Sequence, residues 1–103
     1  MPWNGSYGFL FTHDAIVRNA PTCSGVYALF TPQSWVYIGE SDDIQRSLLE
    51  LKSLVEHLSE EEVWLWRYPR LAFGYWGLAP HERVECWKSL VQELRPKCNR
   101  VTV

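Results

Sequence analysis

Two tyrosines in similar sequence settings are the first candidates for chemistry in this chain. Tyr27 closes the triplet Gly-Val-Tyr at residues 25–27, and Tyr37 opens the triplet Tyr-Ile-Gly at residues 37–39. The tyrosines stand ten positions apart, one in each of two short apolar segments. The run Ser-Asp-Asp at residues 41–43 then opens a helical pattern, and the first turn of a helix carries partial positive charge. Two hydroxyls and a positive helix end therefore share one neighbourhood, which makes this stretch the candidate functional site.

A β-hairpin followed by a helix is expected to position the two tyrosines. Residues 25–30 and 34–39 are rich in β-branched and aromatic side chains, which favour strands, and Pro32 lies in the break between them. Apolar side chains then recur at steps of four and three over residues 42–58, which predicts an amphipathic helix. The predicted buried stripe of that helix consists of Ile44, Leu48, Leu51, Val55 and Leu58.

The segment before the hairpin is expected to hold an arm and one short helix. Residues 1–11 are aromatic and contain glycine, which predicts an irregular arm with at most a short extended piece. Thr12 can cap a helix over residues 13–19, and Pro21 ends it. The side chains expected to face inward from this helix are Ala15, Ile16 and Val17.

The segment after the central helix is expected to add a third strand and a final helix. Residues 60–66 suit a short helix with a capping box, or alternatively residues 63–68 form a strand. A strand is predicted over residues 71–76, and Pro80 suits the first turn of a helix that runs to Leu94. The buried stripe predicted for that helix is Val84, Trp87, Val91 and Leu94. These elements define an α+β fold class.

Composition narrows the class of protein. A chain of 103 residues with 47% hydrophobic residues predicts a single domain with a real core. Its net charge of −2 differs from the excess of positive charge that is typical of a dedicated DNA-binding domain. Six tryptophans are many for this size, so some are expected on the surface, where they could meet a partner. The candidate surface tryptophans are Trp3, Trp35, Trp64, Trp66 and Trp76.

The cysteines and the hydropathy pattern predict a cytoplasmic location. Cys23, Cys86 and Cys98 have neither a Cys-x-x-Cys spacing nor histidines at zinc-ligand spacing, so reduced thiols are expected. No apolar run reaches 18 residues, and the first residues do not follow the pattern of a signal peptide. We therefore expect no membrane association.

The paired triplets, their spacing and the order of hairpin and helix resemble the GIY-YIG nuclease domain. The segment Leu-Arg-Pro-Lys-Cys-Asn, which ends at Asn99, also resembles the closing motif of that family. The resemblance covers residues 14–99 as the core of a single domain spanning residues 1–103, with residues 1–11 as an N-terminal arm. It implies a small three-stranded antiparallel sheet flanked by helices.

The resemblance also implies which residues would form the site. Tyr27, Tyr37 and Asn99 match family positions for orienting water, contacting phosphate and supporting the site. The arginine that binds the scissile phosphate is usually placed where this chain has Ser47, and Arg46 is its neighbour. One position rotates a helical side chain by about 100°, so Arg46 would point elsewhere.

Two further family positions are also substituted. The histidine position is Leu51, which belongs to the apolar stripe, and the position of the metal-binding glutamate is Trp87. Tryptophan offers no oxygen ligand for Mg²⁺ and would fill that space, while Glu85 lies about 200° away around the helix. No resident cofactor or metal is therefore expected.

Three hypotheses follow for the function. The first is a GIY-YIG-fold domain with lost or strongly impaired nuclease activity, which acts as a binding or structural module for a protein or a single-stranded nucleic acid. The second is an active endonuclease that uses Mg²⁺ or Mn²⁺, with Arg46 on the phosphate and either Glu85 or the acidic residues Glu40, Asp42 and Asp43 on the metal. The third is a ligand pocket without hydrolytic chemistry.

The same residues also allow purely structural interpretations. Tyr27 and Tyr37 are also typical of aromatic residues on a strand whose hydroxyl groups reach solvent. Asn99 is typical of a turn, and Arg46 is typical of a charged helix residue exposed to solvent. The acidic residues near position 42 suit a helix start. The active hypothesis requires a carboxylate and a guanidinium to converge on the tyrosine hydroxyls, and Trp87 in that space would exclude it.

Overall fold

The computed structural model describes Trp3, Gly5 and residues 8–55 and 71–97. Within these residues the chain forms three helices and four strands, and the strands join in one antiparallel sheet. In chain order the elements are β1 (Phe9–Leu10), α1 (His13–Asn19), β2 (Gly25–Phe30), β3 (Trp35–Ser41), α2 (Ile44–Val55), β4 (Ala72–Gly77) and α3 (Pro80–Leu94). The fold is therefore α+β, as the sequence predicts.

The strand order is β1-β4-β2-β3, with antiparallel pairing throughout. Strand β2 lies inside the sheet and is buried from Gly25 to Leu29, because neighbours pair on both edges and helices cover both faces. The sequence predicts at most a short extended piece in the N-terminal arm, and the structure shows that this piece, β1, joins the sheet as a fourth strand. It contributes only two residues, with Phe9 opposite Phe73, and so short a strand has no alternating pattern of its own.

The turn of the β2–β3 hairpin is held by the side chain of Thr31. Its hydroxyl oxygen accepts hydrogen bonds from the amides of Gln33 and Ser34, at 3.2 and 3.1 Å. The pairing register shifts between Leu29 and Phe30, and Val36 has no pairing partner on β2. As a result, the consecutive residues Val36 and Tyr37 both pack into the same core cluster.

The sheet separates two hydrophobic clusters. On one face, side chains of α1 and α2 pack against β2 and β4, and this cluster contains Ile16, Ile44, Leu48, Tyr27, Leu29 and Phe73. On the other face, α3 packs against β2 and β3, and the buried members are Trp3, Val26, Ala28, Ile38, Leu90 and Val91. Strand β2 therefore buries both of its faces, which explains its nearly continuous apolar sequence.

Helices α1 and α3 have the predicted bounds, whereas α2 begins at Ile44, two residues after the predicted start. Thr12 caps α1 by accepting a hydrogen bond from the amide of Ala15 at 3.2 Å, and α3 begins at Pro80 and ends at Leu94. The described part of α2 ends at Val55. The helix or strand predicted within residues 60–68, and also Leu58, lies outside the described residues.

The predictions that Val17 and Val84 face inward are wrong. Val17 is 48% exposed and Val84 is 38% exposed, while Ile16 and Leu90 are buried. Adjacent positions on a helix differ by about 100°, so a small error in the centre of the apolar stripe moves a side chain from the core to the surface.

Two further observations concern the cysteines and the search for a membrane-spanning helix. Cys23 and Cys86 are free thiols, and Cys98 lies outside the described residues. Among the residues that the structure describes, no helix has both the length and the apolar character needed to cross a lipid bilayer.

Replacing Leu48 by alanine should destabilise the fold by about 2 to 5 kcal/mol, because Leu48 is fully buried between α2 and the sheet. The matched control is Leu54→Ala on the same helix, since Leu54 is 59% exposed. That control should change the free energy of unfolding by no more than about 0.5 kcal/mol. Urea denaturation followed by circular dichroism measures both, and equal losses would contradict the packing described for α2.

Candidate functional site

The structure brings Tyr27 and Tyr37 together on the sheet face that α1 and α2 cover. Tyr27 pairs with Gly39 on β3 and with Tyr75 on β4, while Tyr37 pairs with Leu29. The two tyrosines are therefore diagonal neighbours, and their ring centroids are 6.2 Å apart. Tyr27 is only 6% exposed, and Tyr37 is half-buried.

The ring of Tyr27 lies directly over Gly39. A Cβ atom at position 39 would stand 2.5 Å from the Tyr27 hydroxyl oxygen and would also collide with the adjoining ring carbon. No side chain fits there unless the tyrosine moves. The tyrosine of the first triplet and the glycine of the second are thus linked by a packing requirement, independent of any chemistry.

The environment of Tyr27 keeps its hydroxyl protonated. Burial is the main cause that raises the pKa of Tyr27 above its ordinary value, followed by the proximity of Tyr37 and the hydrogen bond between the two side chains. The carboxylates of Glu40 and Glu50 raise the pKa further. A general base works best when its pKa lies near the operating pH, so Tyr27 is suited to donating a hydrogen bond and not to taking a proton from water.

Ser47, at the position where the resemblance places an arginine, connects α2 to the end of β3. Its hydroxyl oxygen lies 2.5 Å from that of Ser41, which is 7% exposed. Ser41 also donates to the carbonyl of Asp43 and accepts from the amide of Asp43, both at 2.9 Å. The polar group of Ser47 is therefore used within the fold.

The first amides of α2 are also occupied. The amides of its first three residues donate to the carbonyl oxygens of Cys23 and Pro21 and to a carboxylate oxygen of Asp43, at 2.9 to 3.0 Å. A helix N-terminus binds an anion through amides that have no partner. The predicted positive helix end is thus present beside the hairpin, but its hydrogen-bond donors are already satisfied.

Arg46 lies at the surface. Its guanidinium contacts the carboxylate of Asp42 at 2.6 Å, and the two side chains are 57% and 67% exposed. Asp42 precedes α2, and Arg46 lies four positions later in the first turn of that helix. The contact holds the guanidinium as a solvated helix charge, the structural interpretation that the sequence also allows.

Trp87 and Glu85 lie away from the tyrosines. The indole N–H of Trp87 donates to the carbonyl of Ile38 at 2.8 Å, and its ring packs into the cluster on the α3 face of the sheet. The expectation that Trp87 would fill the space beside the tyrosines is wrong, because the sheet lies between them. The side chain of Glu85 is 82% exposed and approaches Lys88 at 4.0 Å.

The acidic residues near α2 have separate partners. Glu40 accepts a hydrogen bond from Nε of Arg83 at 2.8 Å, whereas Asp42 pairs with Arg46 and Asp43 caps the helix. In the described parts of the chain, no group of three or more histidine, cysteine, aspartate or glutamate side chains is arranged to hold a metal ion.

Arg83 is a residue of the site region that the sequence did not indicate. Besides Glu40 it binds the hydroxyl of Ser24 at 3.1 Å, so it joins α3 to the start of β2 and the end of β3. Its partners are 43 and 59 residues away in the chain. A contact over such a separation has no periodic signal, so only the acid–base pairing of residue types could have suggested it.

The described tryptophans predicted to lie on the surface are less exposed to solvent than the sequence suggests. Trp3 is only 3% exposed and packs against Trp35 and Trp76, with ring centroids 5.9 and 6.1 Å away. Its prediction as a surface residue is therefore wrong, because it covers the sheet face beside α3. Trp35 and Trp76 are half-buried. Trp64, Trp66 and the family-matched Asn99 lie outside the described residues.

A comparison of this chain with protein-family models, with curated proteins and with solved structures finds no match. The resemblance to the GIY-YIG domain therefore rests on the two triplets, their spacing and the elements that carry them.

Replacing Gly39 by alanine should destabilise the fold by about 1 to 3 kcal/mol, because the new methyl group forces the Tyr27 ring out of its position. Gly77→Ala is the matched control in the same sheet. A Cβ atom there would meet Cys23 Sγ at an ordinary 3.4 Å. Thermal unfolding compares the two variants, and a Gly39 variant as stable as the Gly77 variant would contradict the packing.

Tyr27 should make the protein sensitive to alkali. Its folded pKa exceeds the unfolded value, so the stability it contributes is complete below about pH 10 and declines as the pH rises further. Tyr27→Phe should therefore show a shallower loss of the free energy of unfolding between pH 9 and 11 than the parent chain. Urea titrations across this range measure the two slopes, and parallel slopes would be the contrary result.

Proposed function

We propose that this chain is a GIY-YIG-type domain that has lost nuclease chemistry and acts as a binding or structural module. The observation that carries this proposal is the state of the tyrosine pair. Tyr27 is a buried phenol with a raised pKa, and the neighbouring helix offers Ser47 where the resemblance places the phosphate-binding arginine. Packing accounts for both tyrosines, since their rings lie 6.2 Å apart and the ring of Tyr27 covers Gly39.

The electrostatic surroundings of Tyr27 support the loss of cleavage. Hydrolysis of a phosphodiester needs an activated water molecule, positive charge on the phosphate and stabilisation of the leaving oxygen. The guanidinium groups of Arg46 and Arg83 are instead paired with the carboxylates of Asp42 and Glu40. Glu40 and Glu50 also contribute to the raised pKa of Tyr27. Each lost stabilising group costs roughly 10²- to 10³-fold in rate, so two losses leave little activity.

The arrangement of elements supports the GIY-YIG part of the proposal. The hairpin of β2 and β3 carries the two triplets, α2 follows it directly, and β4 pairs with β2 to complete a three-stranded unit. Strand β1 is then an addition at the edge of that unit, contributed by the N-terminal arm.

A protein is the more suitable partner for such a module. The net charge of −2 gives no general attraction for a phosphate backbone, and such attraction supplies most of the affinity of non-specific nucleic-acid binding. Stacking of bases on tryptophan would require exposed rings, yet Trp3 is buried.

An assay of plasmid nicking and oligonucleotide cleavage, with Mg²⁺ and with Mn²⁺, tests the loss of activity. We expect the parent chain to cleave no faster than Tyr27→Phe, with circular dichroism confirming that both are folded. Metal-dependent cleavage by the parent that disappears in Tyr27→Phe would overturn the proposal. Arg46→Ala and Glu85→Gln would then identify the groups that serve the phosphate and the metal.

A further inference from the structure

The turn between β2 and β3 borders a cavity of about 220 Å³, which we call the hairpin cavity. It is lined by six consecutive residues, from the last residue of β2 to the first of β3: Phe30, Thr31, Pro32, Gln33, Ser34 and Trp35. Pro32 and Gln33 are exposed, so the hairpin cavity opens to solvent. None of the contacts described for the tyrosine pair involves these residues.

The side chain of Thr31 holds the shape of this cavity. Thr31 is only 7% exposed, and its amide donates to the carbonyl of Ser34 at 2.8 Å. Its hydroxyl oxygen accepts from the amides of Gln33 and Ser34 and lies 3.4 Å from the hydroxyl oxygen of Ser34. The turn is therefore ordered before any ligand arrives, and binding would not carry the entropy cost of ordering a loop.

The walls of the hairpin cavity are aromatic and uncharged. The ring centroids of Phe30 and Trp35 are 5.5 Å apart, and their planes form an angle of 58°. None of the six lining residues is acidic or basic. A charged group that entered would lose hydration and would find no counter-ion among these residues. The lining therefore favours an uncharged occupant with an apolar face.

The volume distinguishes a single side chain from a whole cofactor. Sites for drug-sized ligands usually enclose roughly 300 to 1,000 Å³. A cavity of about 150 Å³, by contrast, holds benzene. The hairpin cavity lies between these values and suits one ring system of the size of phenol or indole. The chain already packs an indole against one of the walls, since the ring centroids of Trp3 and Trp35 are 5.9 Å apart.

We propose that the hairpin cavity receives one aromatic side chain of a partner protein. This inference rests on the proposed role of the chain as a protein-binding module, and it names the chemistry of the partner at the point of contact. Tryptophan and tyrosine are enriched among the residues that dominate the binding energy of interfaces, where they fill well-packed pockets. Phe30 and Trp35 provide the aromatic surface for such a ring.

Titration of the full chain with N-acetyltryptophanamide tests this inference, because the probe carries an indole and no charge. Proton–nitrogen correlation spectra should show saturable shifts of the Gln33 and Ser34 amide signals. N-acetyllysinamide and methyl glucoside, at the same concentrations, should leave these signals in place. No saturable shift with the indole probe, or an equal response to the charged or the sugar probe, would overturn the proposal.

Two matched variants locate the binding. Phe30→Leu keeps an apolar side chain but removes one aromatic wall, so it should weaken binding of the indole probe about two- to tenfold. The control is Phe9→Leu, since Phe9 is also a half-buried ring but packs against Phe73 and Tyr75, away from the cavity lining. If Phe30→Leu does not fold, the exposed variant Pro32→Ala carries the test, with an expected weakening of about two- to fourfold.

Folded variants at the cavity that bind the indole probe as tightly as the parent chain would contradict the inference. This result is distinguishable from failure of the proposed function. Metal-dependent cleavage would overturn the loss of nuclease chemistry, whereas a chain that neither cleaves nor binds the probe would overturn only the hairpin cavity as the point of contact.

Discussion

The contact between the Tyr27 ring and Gly39 is the constraint on which the rest of the described structure depends. Because the ring occupies the place of a side chain at position 39, strands β2 and β3 have one register in which both faces pack. A slip of one residue would exchange the two faces of β3 and place Glu40 in the cluster beneath α1 and α2. The same register sets Tyr37 diagonal to Tyr27 and turns the backbone of Ile38 outward.

Polar groups near the tyrosines satisfy one another and leave little for a ligand. Ser47 is held by Ser41, Arg46 by Asp42, and the first amides of α2 by carbonyls of the loop before β2 and by Asp43. A phosphate bound here would have to break several of these hydrogen bonds. Preorganised sites for anions work in the opposite way, since their donors are held in place without a partner until the ligand arrives.

The sheet also divides the molecule chemically. Phenols and the serine link lie on the α2 side, whereas most described indoles lie on the α3 side and one of them reaches the edge of β3. Trp87 therefore contributes to the packing of α3 and to the coverage of an edge, not to the environment of the tyrosines. A position assigned by counting along the chain can lie across the sheet from the site, because the count does not record which face a helix covers.

The sequence by itself determined the hairpin, the central and final helices, the Thr12 cap and the α+β class, because each depends on contacts between residues close in the chain. It also indicated the proximity of Tyr27 and Tyr37, since a hairpin of that spacing leaves few registers. Only the tertiary structure decided the pairing of β1, the face that holds Trp87 and the Glu40–Arg83 ion pair. These join segments far apart in the chain, and such contacts depend on how elements pack, which periodicity and local propensity do not encode.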